Sequence, residues 1–249
     1  MNVKNKENTK EKLDQHFMIN QNLLDRIIDY AELSKQDIIL EIGPGKGALT
    51  ELLIKKAFVY AVEIDREMIQ ILNQKFNKIK NKNKIRIILG NALKIIKKLN
   101  FNKIVANIPY TISEPLLKQI LIKHPEIVVL TVGEKFIDHL KNNELFNIVY
   151  NLEIKELVDK KDFFPVPKTN SMIVKFELKK DKMALFFQDL LKQYDKKIKN
   201  ALQKYLKEKL TKNQVRDAIA PFTAKNKSII SIDNTDIMKL KQLIKSFIN

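Results

Sequence analysis

A chain of 249 residues with 46 Lys and Arg against 29 Asp and Glu carries a formal charge of +17 and no cysteine. Disulfides and thiolate metal sites are therefore excluded. No two of the three histidines, His16, His124 and His139, stand at zinc-ligand spacing, so no metal is expected. No apolar run approaches a membrane span, and the start has neither a hydrophobic segment nor the arginines of a transit peptide, so a soluble cytoplasmic protein is expected. The charge excess points to a polyanionic partner, a nucleic acid. Only four basic residues are arginine. An A/T-rich genome would also favour Lys, but it would enrich Glu as well, and the positive excess survives that bias.

Residues 1–14 are polar and Lys-rich. In Gln21 to Leu33 the apolar residues Leu23, Leu24, Ile27, Ile28 and Ala31 follow a helical period. Then come "DIILEIG", a buried strand, "ALTELLIKKA", a helix, and "FVYAVEID", a strand. "REMIQILNQKF" is a helix, "KIRIILG" and "NKIVANI" are strands, "EPLLKQILIKH" is a helix with Pro115 suited to its first turn, and "EIVVLTV" is a strand. Such alternation predicts an α/β fold with a largely parallel sheet. "LFNIVYNLEIKELV" and "NSMIVKFEL" read as two further strands forming an antiparallel edge hairpin. From about Asp181 the chain is basic and helical throughout ("ALFFQDLLKQYDKKIKNALQKYLKEKL", "KNQVRDAIAPF", "DIMKLKQLIKSF"). This predicts a main domain over residues 1–181 and a small helical RNA-binding domain over residues 182–249.

Three of the five glycines fall in "EIGPGKGALT": Gly43, Gly45 and Gly47, after a strand and before a helix. Glycine allows the tight turn and a close approach of backbone to ligand. The next strand ends in Glu63, placed to accept hydrogen bonds from both hydroxyls of a ribose. A nucleoside-containing cofactor follows. Ala48 keeps a nicotinamide dinucleotide open, and S-adenosylmethionine is the other candidate. A P-loop is excluded because no Gly-Lys-Ser/Thr follows. Glu41 reads equally as a structural carboxylate at a strand end or as a support for the loop.

"VANIPYTISEP" ends a buried strand on an amide, a proline and a phenol. In a doubly wound sheet this strand end lies beside that of the glycine-loop strand. An exocyclic amine on a base is a poor nucleophile, because its lone pair is delocalised into the ring. Two acceptors, the Asn107 side-chain oxygen and the Ile108 carbonyl, would hold its hydrogens and favour a pyramidal nitrogen. Pro109 fixes φ beside that carbonyl, and the Tyr110 ring offers a stacking face. The site would act by orientation and electrostatics.

These residues, "NIPY" with "EIGPGKG" and "VEID" upstream, resemble the rRNA adenine N6-dimethyltransferases, and within them the small-subunit rRNA enzymes. "KLDQHFMIN" (Lys12 to Asn20), "FFPVPKTNSMIVKF" (Phe163 to Phe176) and "YDKKIKNAL" (Tyr194 to Leu202) are similar to further family elements, so the resemblance spans most of the chain. It implies a Rossmann-like class I methyltransferase with a seven-stranded, mostly parallel sheet, a helical C-terminal domain and S-adenosyl-L-methionine as cofactor. It also implies dimethylation of two adjacent adenosines in the 3′-terminal hairpin of small-subunit rRNA, with that rRNA or its precursor particle as partner; nothing in the sequence suggests an obligate dimer, and a monomer is expected. The resemblance assigns Gln15, His16, Phe17, Gly43, Gly45, Glu63, Asn91 and Asn107 to the cofactor. Asn107, Ile108, Pro109 and Tyr110 go to the target base, and Phe163, with Phe164 as the fallback, to its opposite face. Lys196, Lys197 and Lys199 go to RNA phosphates. Asp14 stands where the family has glycine. Asn91 stands where it has an aspartate that accepts from the cofactor's adenine amine, and the Asn91 amide oxygen would accept in its place. Thr169 and Asn170 also depart from the family pattern. A large-subunit rRNA methyltransferase and a non-catalytic assembly factor are the alternatives.

Overall fold

The computed structural model describes residues 15–77, 84–206, 210–220 and 222–248. A seven-stranded sheet has the order β4 (Ile85–Leu89), β3 (Phe58–Glu63), β2 (Ile38–Ile42), β5 (Lys103–Asn107), β6 (Ile127–Gly133), β9 (Ser171–Leu178), β7 (Tyr150–Val158). The first five strands are parallel, and β9 runs antiparallel to both β6 and β7. The central strands are apolar without alternation because both faces are covered. In β5, Ile104 and Ala106 join one buried cluster while Val105 joins the other. In β6, Val128 and Leu130 face the first cluster and Val129 the second.

The crossover helices are α2 (Ala48–Lys56), α3 (Arg66–Phe76) and α5 (Ser113–Lys123), with a single turn, α4 (Ala92–Ile95), before β5. Helix α1 (Gln21–Tyr30) is capped by Asn20, whose Oδ1 accepts from Leu23 N at 3.3 Å. It buries Leu23, Leu24, Ile27 and Ile28, as their spacing predicts. It stops short of Leu33, because Glu32 adopts a positive φ of 49°.

Two expectations fail locally. "LFNIV" is not strand: Leu145 to Val149 lie in α7 (Glu144–Val149), because Asn143 Oδ1 accepts from Phe146 N and starts a helix, so β7 begins only at Tyr150. It follows α6 (Glu134–Lys141), which the sequence reading did not mark. The long stretch after Asp181 is not one helix. It divides into α8 (Lys182–Leu191) and α9 (Ile198–Leu206), with tight turns such as Tyr194 N to Leu191 O at 3.1 Å between them. The break turns Ile198 inward. Helices α10 (Lys212–Ile219) and α11 (Asn234–Ile248) complete the helical region. Phe186, Phe187, Leu202 and Ile244 from these helices share one buried cluster with Leu116, Val128 and Phe176 of the sheet region.

A two-stranded antiparallel ribbon was also not anticipated. β1 (Phe17–Met18) pairs with β8 (Phe163–Phe164), Met18 opposite Phe163 and Phe17 opposite Phe164. Ile19 N donates to Asp162 O at 2.8 Å and Asn20 Nδ2 to Asp162 Oδ1 at 2.9 Å, extending the seam.

Candidate active site

The order β3-β2-β5 places the C-terminal ends of three parallel strands side by side, where open α/β sheets bind ligands. A cavity of about 260 Å³ opens there. Gln15, His16, Phe17, Gly43, Gly45, Glu63, Asn91, Asn107, Ile108, Pro109 and Phe163 all line it. The Tyr110 side chain and Asp14 lie outside the described residues. Lys196 and Lys197 are exposed and precede α9 instead of opening it, Lys199 is half-buried, and none of the three reaches the cavity.

The glycine loop is shaped by backbone bonds. Gly43 N donates to Val62 O at 2.9 Å, and Gly47 N to Pro44 O at 2.8 Å. Gly45 has a φ of +54°, and a Cβ there would lie 2.6 Å from Phe17 Cε1, so glycine lets the aromatic ring pack on the loop. A Cβ on Gly43 would meet nothing within 4 Å, so the loop faces open space at that point.

Glu63 is buried and already engaged. Its Oε2 accepts from Gly45 N at 3.0 Å, and its Oε1 accepts from Ile64 N at 2.7 Å and Asp65 N at 2.9 Å. A carboxylate offers about four acceptor sites, so three bonds leave one, on Oε2, for a ligand. Ile64, the next residue, lines the cavity although it is 52% exposed.

Asn91 is a helix cap. Its Oδ1 accepts from Leu93 N at 2.9 Å, the N-cap bond of α4. The amide oxygen expected to receive a ligand amine thus takes one bond and keeps its second lone pair, and Nδ2 has no partner in the cap. No motif in the sequence signals that cap, because α4 is only four residues long.

At the end of β5, Asn107 Nδ2 donates to His16 O at 3.3 Å, which leaves Asn107 Oδ1 as the amide's free acceptor. Among the described residues none donates to the Ile108 carbonyl. His16 is held in turn: its Nδ1 lies 2.7 Å from the Pro165 carbonyl, which can only accept, so Nδ1 carries the proton. Gln15 Nε2 donates to Asp65 Oδ2 at 3.3 Å, tying the segment to the end of β3. Phe163 is 3% exposed and lines the cavity, whereas its neighbour Phe164 turns outward, as alternation along a strand requires.

Glu41 also lines the cavity. It is buried, and its Oε2 has no hydrogen-bond partner. Burial pushes its carboxyl up to about 8, with the nearby Glu63 charge adding to the rise, while Thr50 and Lys75 offset part of it. Lys46, in the glycine loop, was not singled out from the sequence; it is exposed at the rim with Nζ 5.1 Å from the Phe17 ring centroid.

Comparison with known proteins agrees with this geometry. Residues 6–245 match the family model described as ribosomal RNA adenine dimethylase. The chain is similar to a Pyrococcus abyssi protein named probable ribosomal RNA small subunit methyltransferase A, 29% identical over 252 residues, which cover 94% of this chain and 91% of the relative. It is similar to the Malacoplasma penetrans ribosomal RNA small subunit methyltransferase A, 32% identical over 245 residues and 88% of each chain. Among solved structures, a dimethyladenosine transferase from Plasmodium falciparum superposes with a TM-score of 0.62 at 24% identity, covering 92% of this chain and 98% of that one. The 23S rRNA methyltransferase ErmE superposes at 0.60 with 20% identity, over 92% of this chain and 99% of that one. These two likenesses carry the fold, and the family match carries the assignment. On that match, and with the glycine loop, Glu63 and Asn107 gathered around one cavity, the chain belongs to the ribosomal RNA adenine dimethylase family.

Proposed function

We propose that this protein transfers methyl groups from S-adenosylmethionine to the N6 amines of two adjacent adenosines in the 3′-terminal hairpin of small-subunit rRNA. The family match and the names of the Pyrococcus and Malacoplasma relatives support the reaction class and the small subunit. The observation that carries the reading is the orientation of Asn107. Its Nδ2 is tied to the His16 carbonyl, so Oδ1 is the atom left to accept from an adenine amine. A strand end arranged for a hydride would not need it.

The cavity residues fit the cofactor. The orphaned Oε2 of Glu41 suits a ligand ammonium group, Gly43 leaves room for an amino-acid end, and the one open site on Glu63 Oε2 suits a ribose hydroxyl. Ile64 and Ala92 offer apolar surface for a flat ring, and the second lone pair of Asn91 Oδ1 offers an acceptor to a ring amine. When bound, S-adenosylmethionine supplies a methyl group activated by a positive sulfonium. The chain's own part is positional. Asn107 Oδ1 and the Ile108 carbonyl hold the amine, Pro109 fixes the turn, Phe163 covers one ring face, and the β1–β8 ribbon excludes water.

The test is methyl transfer to unmethylated small-subunit RNA, read by mass spectrometry of the hairpin nucleosides. Dimethyladenosine at two neighbouring positions is expected. Its absence, with the cofactor bound, would sink the reading and leave an RNA-binding assembly factor. Dimethyladenosine only in large-subunit RNA would move the substrate.

A further inference from the structure

The ribbon that walls the cavity has a second face, whose Phe17 end packs on the glycine loop while its Phe164 end lies outside the cavity lining. Directly opposed residues in a ribbon share a face. Met18 and Phe163 form the buried pair, so Phe17 and Phe164 lie on the other face, with Ile19 two residues along from Phe17. Phe164 is 64% exposed, Ile19 62% and Val166 55%. Phe164 is the only phenylalanine left so exposed among the described residues. Exposed apolar side chains gathered on and beside this short ribbon mark an interaction surface.

The surroundings define its partner. Lys46 stands over Phe17, and Lys160, Lys161 and Lys168 are exposed on the segment that carries Phe164. The acids of that segment are engaged: Asp159 Oδ1 accepts from Lys161 N at 2.8 Å and Asp162 Oδ1 from Asn20 Nδ2 at 2.9 Å. The His16–Pro165 bond of 2.7 Å holds the ridge against the cavity mouth. An aromatic face set among cations, continuous with a base pocket, suits single-stranded nucleic acid, whose bases stack on rings while its phosphates meet lysines. We infer that Phe164 is the stacking platform for the nucleotide next to the target adenosine, so that the neighbouring base rests on the outer face of the ribbon while the target lies behind it. This deepens the proposed function and rests on the cavity being the adenine site.

The experiment uses the full chain and a small-subunit 3′-hairpin RNA carrying 2-aminopurine on either side of the target. Binding to the unaltered protein should quench 2-aminopurine at one of the two positions. Phe164→Ala should weaken RNA binding about tenfold, within the range for one stacked base, and abolish the quench. S-adenosylmethionine affinity should stay within about twofold, since Phe164 is exposed and does not line the cavity. Phe164→Leu keeps the apolar bulk without the ring and should behave like Phe164→Ala, while Phe164→Tyr should behave like the unaltered chain. Unaltered RNA affinity and quench in Phe164→Ala, or in Phe164→Leu, would overturn the inference. Methylation by the unaltered chain in the same mixture keeps the two readings apart: its absence would overturn the cavity assignment and this inference together.

Discussion

Asn107 at the end of β5 and His16 ahead of β1 are joined by a hydrogen bond from the Asn107 amide to the His16 carbonyl, 3.3 Å long. The bond leaves Oδ1 as the open end of the amide. It also ties the segment before α1 to the end of β5, 91 positions further along the chain (107 − 16).

Asn107→Ala removes the acceptor and the tether together. Methyl transfer is expected to fall by at least a hundredfold, the scale for losing one oriented polar group, while RNA affinity changes less than threefold. Parallel loss of both in filter binding and single-turnover assays would show that Asn107 holds the RNA instead.

Asn91→Asp keeps the cap on Leu93 N with one oxygen and turns the other outward as a charged acceptor. With the cofactor's exocyclic amine donating there as proposed, calorimetry should show binding tighter by about fivefold to tenfold, in line with a hydrogen bond to a charged group. Weaker binding would mean that the natural Asn91 Nδ2 is the atom in use.

Gly45→Ala forces a positive φ on an L residue and drives its Cβ to 2.6 Å from the Phe17 ring. The backbone term alone is about 1–2 kcal/mol. A melting temperature lower by several degrees and cofactor affinity weakened at least tenfold are expected. An unchanged melting temperature would show that Phe17 moves aside freely.

Glu41 gives a pH dependence whose sign is set by burial. Its carboxyl sits at about 8 in the fold against an ordinary 4.5. The folded state therefore holds a proton that the unfolded chain releases first. The stability this contributes is complete below pH 4.5 and is lost as pH rises to about 8, roughly 5 kcal/mol over the window. In cofactor-free thermal melts, Glu41→Gln should overtake the unaltered protein progressively across that window, with a flat difference above it. A constant difference from pH 5 to 8 would refute the shift.

The parallel core was legible because covered strands and crossover helices leave different periods in the sequence. "DIILEIG" and "NKIVANI" are short apolar runs closed by loop residues, and "REMIQILNQKF" keeps a helical stripe. Leu145 to Val149 were misread because an apolar run that short fits either state, and the Asn143 cap decided it. The cavity's polar residues were recognisable from their positions at strand ends. Their bonding was not. Nothing local shows that Glu63 Oε2 already serves the Gly45 amide, or that Phe17 and Phe164 pair. Those facts depend on contacts between distant segments.

The ribbon formed by β1 and β8 has a consequence for biosynthesis. Its first strand leaves the ribosome some 145 residues ahead of its partner, since Met18 pairs with Phe163 (163 − 18). Until then the early segment has no strand to dock against, and a half-made chain presents an unfinished wall. Completion of the pocket is thereby delayed until most of the sheet has been translated, so a truncated product that ends before β8 would lack a closed site even where its glycine loop is already folded.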